Sequence, residues 1–254
     1  MGVWVTGDTH ADWMPRFNTK NFKDQKEMTR DDFVIICGDF GLWHNDGTER
    51  NHLKWLNDKP WTTVWVDGNH ENYDRIYSNE FPIVDFHGGK AHKIRDNIYH
   101  LMRGYVFDFC GKKFFSFGGA SSHDIQDGIL DPCDFEDSKE FARTYAKMYA
   151  EGKFFRVNHL SWWKEELPSQ EEMERGKHIL AQHDYKVDYV ITHCLPQQIA
   201  SIAGYRNPDT ATIYFNSLLE DGIDFKEWFC GHYHRNDRIM GKYQILYEQI
   251  IRIC

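Results

Sequence analysis

Five stretches of the 254-residue chain each end an apolar run on a group able to bind a cation or move a proton. They are VWVTGDTH at 3–10, FVIICGDF at 33–40, TVWVDGNHE at 63–71, YVITH at 189–193 and WFCGHYH at 228–234. Together they offer Asp8, His10, Asp39, Asn69, His70, His193, His232 and His234, a set of oxygen and nitrogen donors suited to divalent ions. Manganese, favoured here, and iron, zinc, nickel and cobalt all suit such ligands. Two such ions about 3.5–4 Å apart clamp the attacking and leaving oxygens of a phosphoryl group, and a metal-bridging water would be hydroxide near neutral pH. About seven ligands are needed, and this set holds one imidazole more. His70 is the spare one, because neighbours in a loop do not easily ligate the same ion as Asn69. It is then free to donate a proton to the leaving oxygen as a general acid, a step worth roughly 10²–10⁴-fold.

Placing these groups together is the work of strands. Runs of β-branched and aromatic residues that stop at Gly, Asp or Asn read as strands ending in loops. If the strands share one sheet edge, their ends converge. Asp8 and His10 lie two apart in what reads as an extended loop, which puts both side chains on one side. Residues 48–56 read as a helix closed by Pro60, so the first 80 residues alternate strand and helix in βαβ fashion. From about Ile98 to Ala120 the pattern becomes strands alone, with a hairpin turn at Gly111-Lys112 and a second sheet implied. Ser138–Ala150 reads as a helix carrying Phe141, Tyr145 and Met148 on one stripe. Ser169 and Glu172 form a capping box for a helix to about His183, and Asp209 caps another that ends before Gly222. The tail reads as a hairpin turning at Gly241-Lys242.

The expected fold class is α/β, a two-sheet β-sandwich flanked by helices, in a single domain over residues 1–254 with an insertion or cap at about 124–160. A net charge of −9 with no Lys/Arg-rich run argues against nonspecific nucleic-acid binding. The six cysteines form no CxxC pair and read as free thiols. With no apolar run of membrane-spanning length and no secretory leader pattern, a cytoplasmic location is expected.

The order DTH, GD, GNHE, H, GHYH resembles the calcineurin-like metallophosphoesterase superfamily over residues 8–234. The resemblance implies that Asp8, His10 and His234 hold one ion, that Asn69, His193 and His232 hold the other, and that Asp39 bridges them. It implies catalytic roles for His70, Asp39 and Asn69, with His70 as proton donor. The family pattern often reads GDxxDR, whereas Asp39 is followed here by Phe40, Gly41, Leu42 and Trp43. GGAS at 118–121 and the Trp pair at 162–163 look more like the small bacterial and phage members.

The expected activity is a binuclear metal-dependent phosphatase or phosphodiesterase acting on a phosphoester, with nucleotides among the compatible substrates. The alternatives are a non-catalytic metal-binding interaction module of the same fold, and a nuclease. Asn69 and His70 are candidate substrate contacts, joined by His123 and His44 from loops just past site-facing strands. Arg103, Arg156 and Arg206 are open as phosphate clamps, and nothing in the sequence selects among them.

Overall fold

A computed structural model describes residues 1–254. Two mixed sheets form the centre. The first contains β1 (Val3–Thr6), β2 (Phe33–Ile36), β3 (Thr62–Trp65), β4 (Ile83–Phe86), β5 (Gly89–Arg95), β6 (Ile98–Leu101) and β15 (Ile250–Arg252), in the order β15-β1-β2-β3-β6-β5-β4. The second contains β7 (Tyr105–Phe109), β8 (Lys112–Phe117), β11 (Tyr189–Thr192), β12 (Glu227–Cys230), β13 (Asp237–Ile239) and β14 (Tyr243–Ile245), in the order β13-β14-β12-β11-β8-β7. β1, β2 and β3 run parallel side by side, as do β8, β11 and β12, so their C-terminal ends lie on one edge of each sheet.

Strand alternation explains how these sheets stack. Val3, Val5, Ile35 and Val64 face inward and meet Phe107, Phe114, Ile191 and Phe229 in one buried cluster between the sheets. The opposite faces carry Trp4, Val34, Ile36 and Trp65 on the first sheet and Phe115, Val190 and Trp228 on the second. The first set is covered by α1 (Trp13–Arg16), α2 (Gly47–Asn57) and α3 (Tyr73–Ile76), and the second by α5 (Gln170–Gln182), α6 (Gln197–Ile202) and α7 (Thr210–Glu220). The result is the expected sandwich of two sheets between helical layers. Both faces of the central strands are covered, which is why they are apolar throughout rather than alternating.

Local signals hold where their chemistry is explicit. The Ser169–Glu172 capping box closes in both directions, and Asp209 accepts from the Thr212 N–H at the start of α7. The hairpin after β7 turns one residue earlier than expected, at Cys110-Gly111, because both residues take positive φ and Lys112 already pairs with Phe109. The β4–β5 hairpin, turning at His87-Gly88, was not foreseen. Its strands are short and carry polar residues such as Asp85, Lys90 and His92, so no apolar run announces them.

Residues 124–160 stand apart from the sandwich. They contain a short parallel pair, β9 (Ile129–Leu130) with β10 (Arg156–Val157), and the helix α4 (Ser138–Ala150), none of whose residues is buried. The rings of the Phe141 and Tyr145 stripe meet neighbours in the same segment, Phe135 and Phe155. His159 and Asp74 pin this segment to α3 with a 2.9 Å contact.

Candidate metal centre

The C-terminal ends of β1, β2, β3, β11 and β12 deliver their polar residues to one place. Asp8, His10, Asp39 and His234 each offer a donor atom within 4.8 Å of all the others. His10 Nε2 lies 3.2 Å from His234 Nε2, and His234 Nε2 lies 3.3 Å from Asp8 Oδ2. A second group adjoins the first: Asn69 Oδ1 sits 3.2 Å from His193 Nε2 and 3.1 Å from His232 Nδ1. Asp39 faces both groups, with Oδ2 3.7 Å from His10 Nε2 and Oδ1 3.4 Å from His193 Nε2.

The backbone is bent to achieve this. His10, Asp39, His232 and His234 all have φ between 45° and 67°. Left-handed conformations at non-glycine residues carry strain, and they gather where the surroundings over-determine them. His10 therefore reaches Asp8's neighbourhood through a turn, not through the extended loop expected from alternation. The backbone also approaches closely. A Cβ on Gly68 would run into Asp39 Oδ1 and His193 Nε2, and one on Gly231 would run into Asp8 Oδ1. Each of these glycines lets a donor-bearing loop pass directly beneath the cluster.

The electrostatics are those of a site built around positive charge. Burial opposes ionisation of Asp39, but His193, His70 and His10 outweigh it and hold the carboxyl well below its usual range. Burial likewise opposes charge on His193, and Asp39 and Asp8 overcome it, raising that imidazole to about 10. His232 is pushed well down by burial and by His193 beside it. The paired acids call for positive charge beside them. The donor set of two buried carboxylates, four imidazoles and one amide oxygen fits divalent ions better than a proton.

Other candidates fall on either side of the cluster. The His70 N–H donates to Asp39 Oδ1 at 2.8 Å, and its ring stands edge-on to His10. The His123 ring packs edge-on against His232 and lines a cleft of about 630 Å³ that runs from the cluster toward Tyr205 and Arg206. His44 is not brought in; it is exposed and stacks on Trp43, whose ring in turn faces His70. Arg103 is no phosphate clamp: it is buried against Asp67, Glu172 and the Glu165 carbonyl.

Several supporting residues lay outside the sequence reading. Glu71 accepts the backbone N–H groups of Phe40, Gly41 and Leu42, fixing the loop that carries Asp39. Glu166 accepts from the Ser122 backbone N–H and hydroxyl, and Ser122 Oγ in turn accepts from Asn69 Nδ2 at 3.4 Å. Glu71 ends the GNHE stretch and is legible there, whereas Ser122 and Glu166 lie 44 residues apart with no spacing signal to join them.

The calcineurin-like phosphoesterase family model matches residues 1–236. The chain belongs to this family, whose members are metal-dependent hydrolases of phosphoesters. Among solved structures, it is similar to a phosphopantetheinyl hydrolase from Mycobacterium tuberculosis at 16% identity and a TM-score of 0.41, over 97% of this chain and 90% of that one. No curated protein matches. No helix is long and apolar enough to cross a membrane.

Proposed function

We propose that the cluster is a two-ion centre. Asp8, His10 and His234 hold one divalent ion, Asn69, His193 and His232 hold the second, and Asp39 serves both. Manganese is the first choice among the ions these donors suit. The observation that carries the reading is the position of Asp39, whose two oxygens face the two groups separately. Divalent ions held there would supply positive charge for the phosphoryl oxygens and would make water a better nucleophile near neutral pH.

The remaining work is done by side chains. His193 Nδ1 donates to the Cys37 carbonyl at 2.8 Å, which fixes the tautomer and leaves Nε2 as a ligand atom. Ser122 holds the Asn69 amide so that its oxygen points at the imidazoles. His70, fixed by its backbone on Asp39 but coordinating nothing, protonates the departing alkoxide. Burial, with Arg156 adding to it, lowers the His70 ring to about 4.

Access supports catalysis over a silent interaction module. The His234 side chain is 51% exposed, and clefts of about 860 and 630 Å³ open on the two sides of the cluster. Either has room for the organic part of an ester, nucleotides included. In this reading residues 1–254 act as one domain, and residues 124–160 border the site both beside His70 and along the cleft at His123. The six free thiols agree with a cytoplasmic setting.

The test is metal analysis paired with a screen of phosphate mono- and diesters. Two bound ions and turnover of an activated aryl ester are expected; full metal loading with no turnover across the screen would refute the reading. His70→Asn should slow esters of poor leaving groups by roughly 10²–10⁴-fold and activated aryl esters far less.

A further inference from the structure

The three arginines left open by the sequence differ in what they touch. Arg103 is spent in the interior, and Arg206 stands exposed on the cleft wall. Arg156 alone meets a residue assigned to the chemistry. We propose that Arg156, braced by Asp124, is a substrate-binding residue that donates to a non-bridging phosphoryl oxygen on the His70 side. The inference rests on the two-ion reading above and makes residues 124–160 part of the binding site, not only its cover.

The guanidinium is fixed on three sides. Nε donates to Asp124 Oδ1 at 2.7 Å, Nη2 to Asp124 Oδ2 at 2.8 Å, and Nη1 to the Ser161 carbonyl at 2.8 Å. This fork on a carboxylate sets the plane of the group. The base is rigid, because Arg156 lies in β10 and the next residues are pinned by Asn158 on Asp131 and His159 on Asp74.

The fourth side faces His70. Nη2 lies 3.4 Å from His70 Nδ1 and 3.3 Å from Nε2. At these lengths the Nη2 N–H is shared weakly between the two ring nitrogens. A shorter, negatively charged acceptor would hold that hydrogen better than either ring nitrogen does. Arg156 is only 9% exposed, and an N–H in such surroundings favours taking a partner. A phosphoryl oxygen held in front of His70 would provide one. Because Asp124 already balances the charge, what Arg156 adds is a directed donor at short range rather than a field over the whole site.

The test uses the metal-loaded protein with inorganic phosphate as the probe, ion content being measured alongside. Arg156→Ala should weaken phosphate binding by roughly 10- to 100-fold with both ions retained. Asp124→Asn should weaken it less, through loss of the brace. Arg156→Lys should restore only part of the affinity, since a point charge does not replace the fork. Added methylguanidinium should recover affinity in Arg156→Ala and not in the parent, a rescue that a purely structural arginine would not show. Phosphate affinity unchanged in Arg156→Ala overturns the proposal, and if that variant loses its ions, parental affinity in Arg156→Lys overturns it instead. If the parent turns over esters while Arg156→Ala binds phosphate equally well, only this proposal falls. A parent that binds phosphate through Arg156 but hydrolyses nothing leaves it standing and removes the catalytic reading.

Discussion

Asp39 and Asp67 are both buried carboxylates just past the ends of neighbouring strands, yet they have opposite surroundings. Asp67 is closed by protein: the Arg103 Nε donates to it at 2.8 Å, the Tyr73 hydroxyl at 2.9 Å, and His100 Nε2 lies 3.0 Å away. Burial pushes its pKa up, but Arg103 and His100 prevail and hold it well below the usual carboxylate range. Asp39 accepts one backbone N–H from His70 and otherwise sees imidazoles, with the Asp8 carboxylate on the far side of the cluster. No guanidinium or ammonium pairs with it. A buried acid supplied with its own fixed cation is architecture, and one ringed by ligand-type nitrogens is suited to a cation taken from solution.

The contrast can be broken by exchange. Asp39→Asn should lose ions from both groups and cut turnover by roughly 10³-fold or more, as expected when several kcal/mol of charge stabilisation go with the ions. In the same variant the thermal stabilisation that added ions give the parent, about 3–4 kcal/mol at 100 to 1,000 times the dissociation constant, should vanish. Asp67→Asn should do the reverse, costing about 3–5 kcal/mol in denaturant unfolding because Arg103 is left buried without its charge partner, while two ions still bind. If Asp67→Asn loses ions before it loses stability, the division between the two acids is wrong.

Glu166 sharpens the comparison as an intermediate case, buried and hydrogen-bonded by Ser122 but with no ion-pair partner in contact. Burial raises its pKa from 4.5 to about 7, the Ser122 bonds only partly offsetting it. The folded state then holds a proton that the unfolded chain releases earlier. This contribution to stability is therefore fullest below pH 4.5 and is lost as pH rises toward 7, by on the order of 3 kcal/mol. Glu166→Gln should flatten that slope in urea titrations across this range, and an unchanged slope would show that another group causes it.

Much of this is legible in the residues themselves. Strand ends carrying Asp8, Asp39, Asn69, His193 and His232 follow from apolar runs broken by Gly and Asp, and their convergence follows from parallel neighbours. The left-handed turns at His10, His232 and His234 were not legible, because backbone strain there is imposed by packing and not by propensity. Nor was the pairing of Asp124 with Arg156, which depends on where a segment with no buried helix residue happens to dock. His92 and His100 stack in the interior behind Asp67.

The bond from the His232 N–H to Asp8 joins residues 224 positions apart. During synthesis Asp8 and Asp39 thus emerge long before the imidazoles that complete their surroundings, and β1 waits for β15 to cover its outer edge. Contacts so distant along the chain close late. A nascent chain arrested before residue 232 would carry the acids without the full cage, so ion capture belongs to the finished polypeptide and not to the ribosome-bound one.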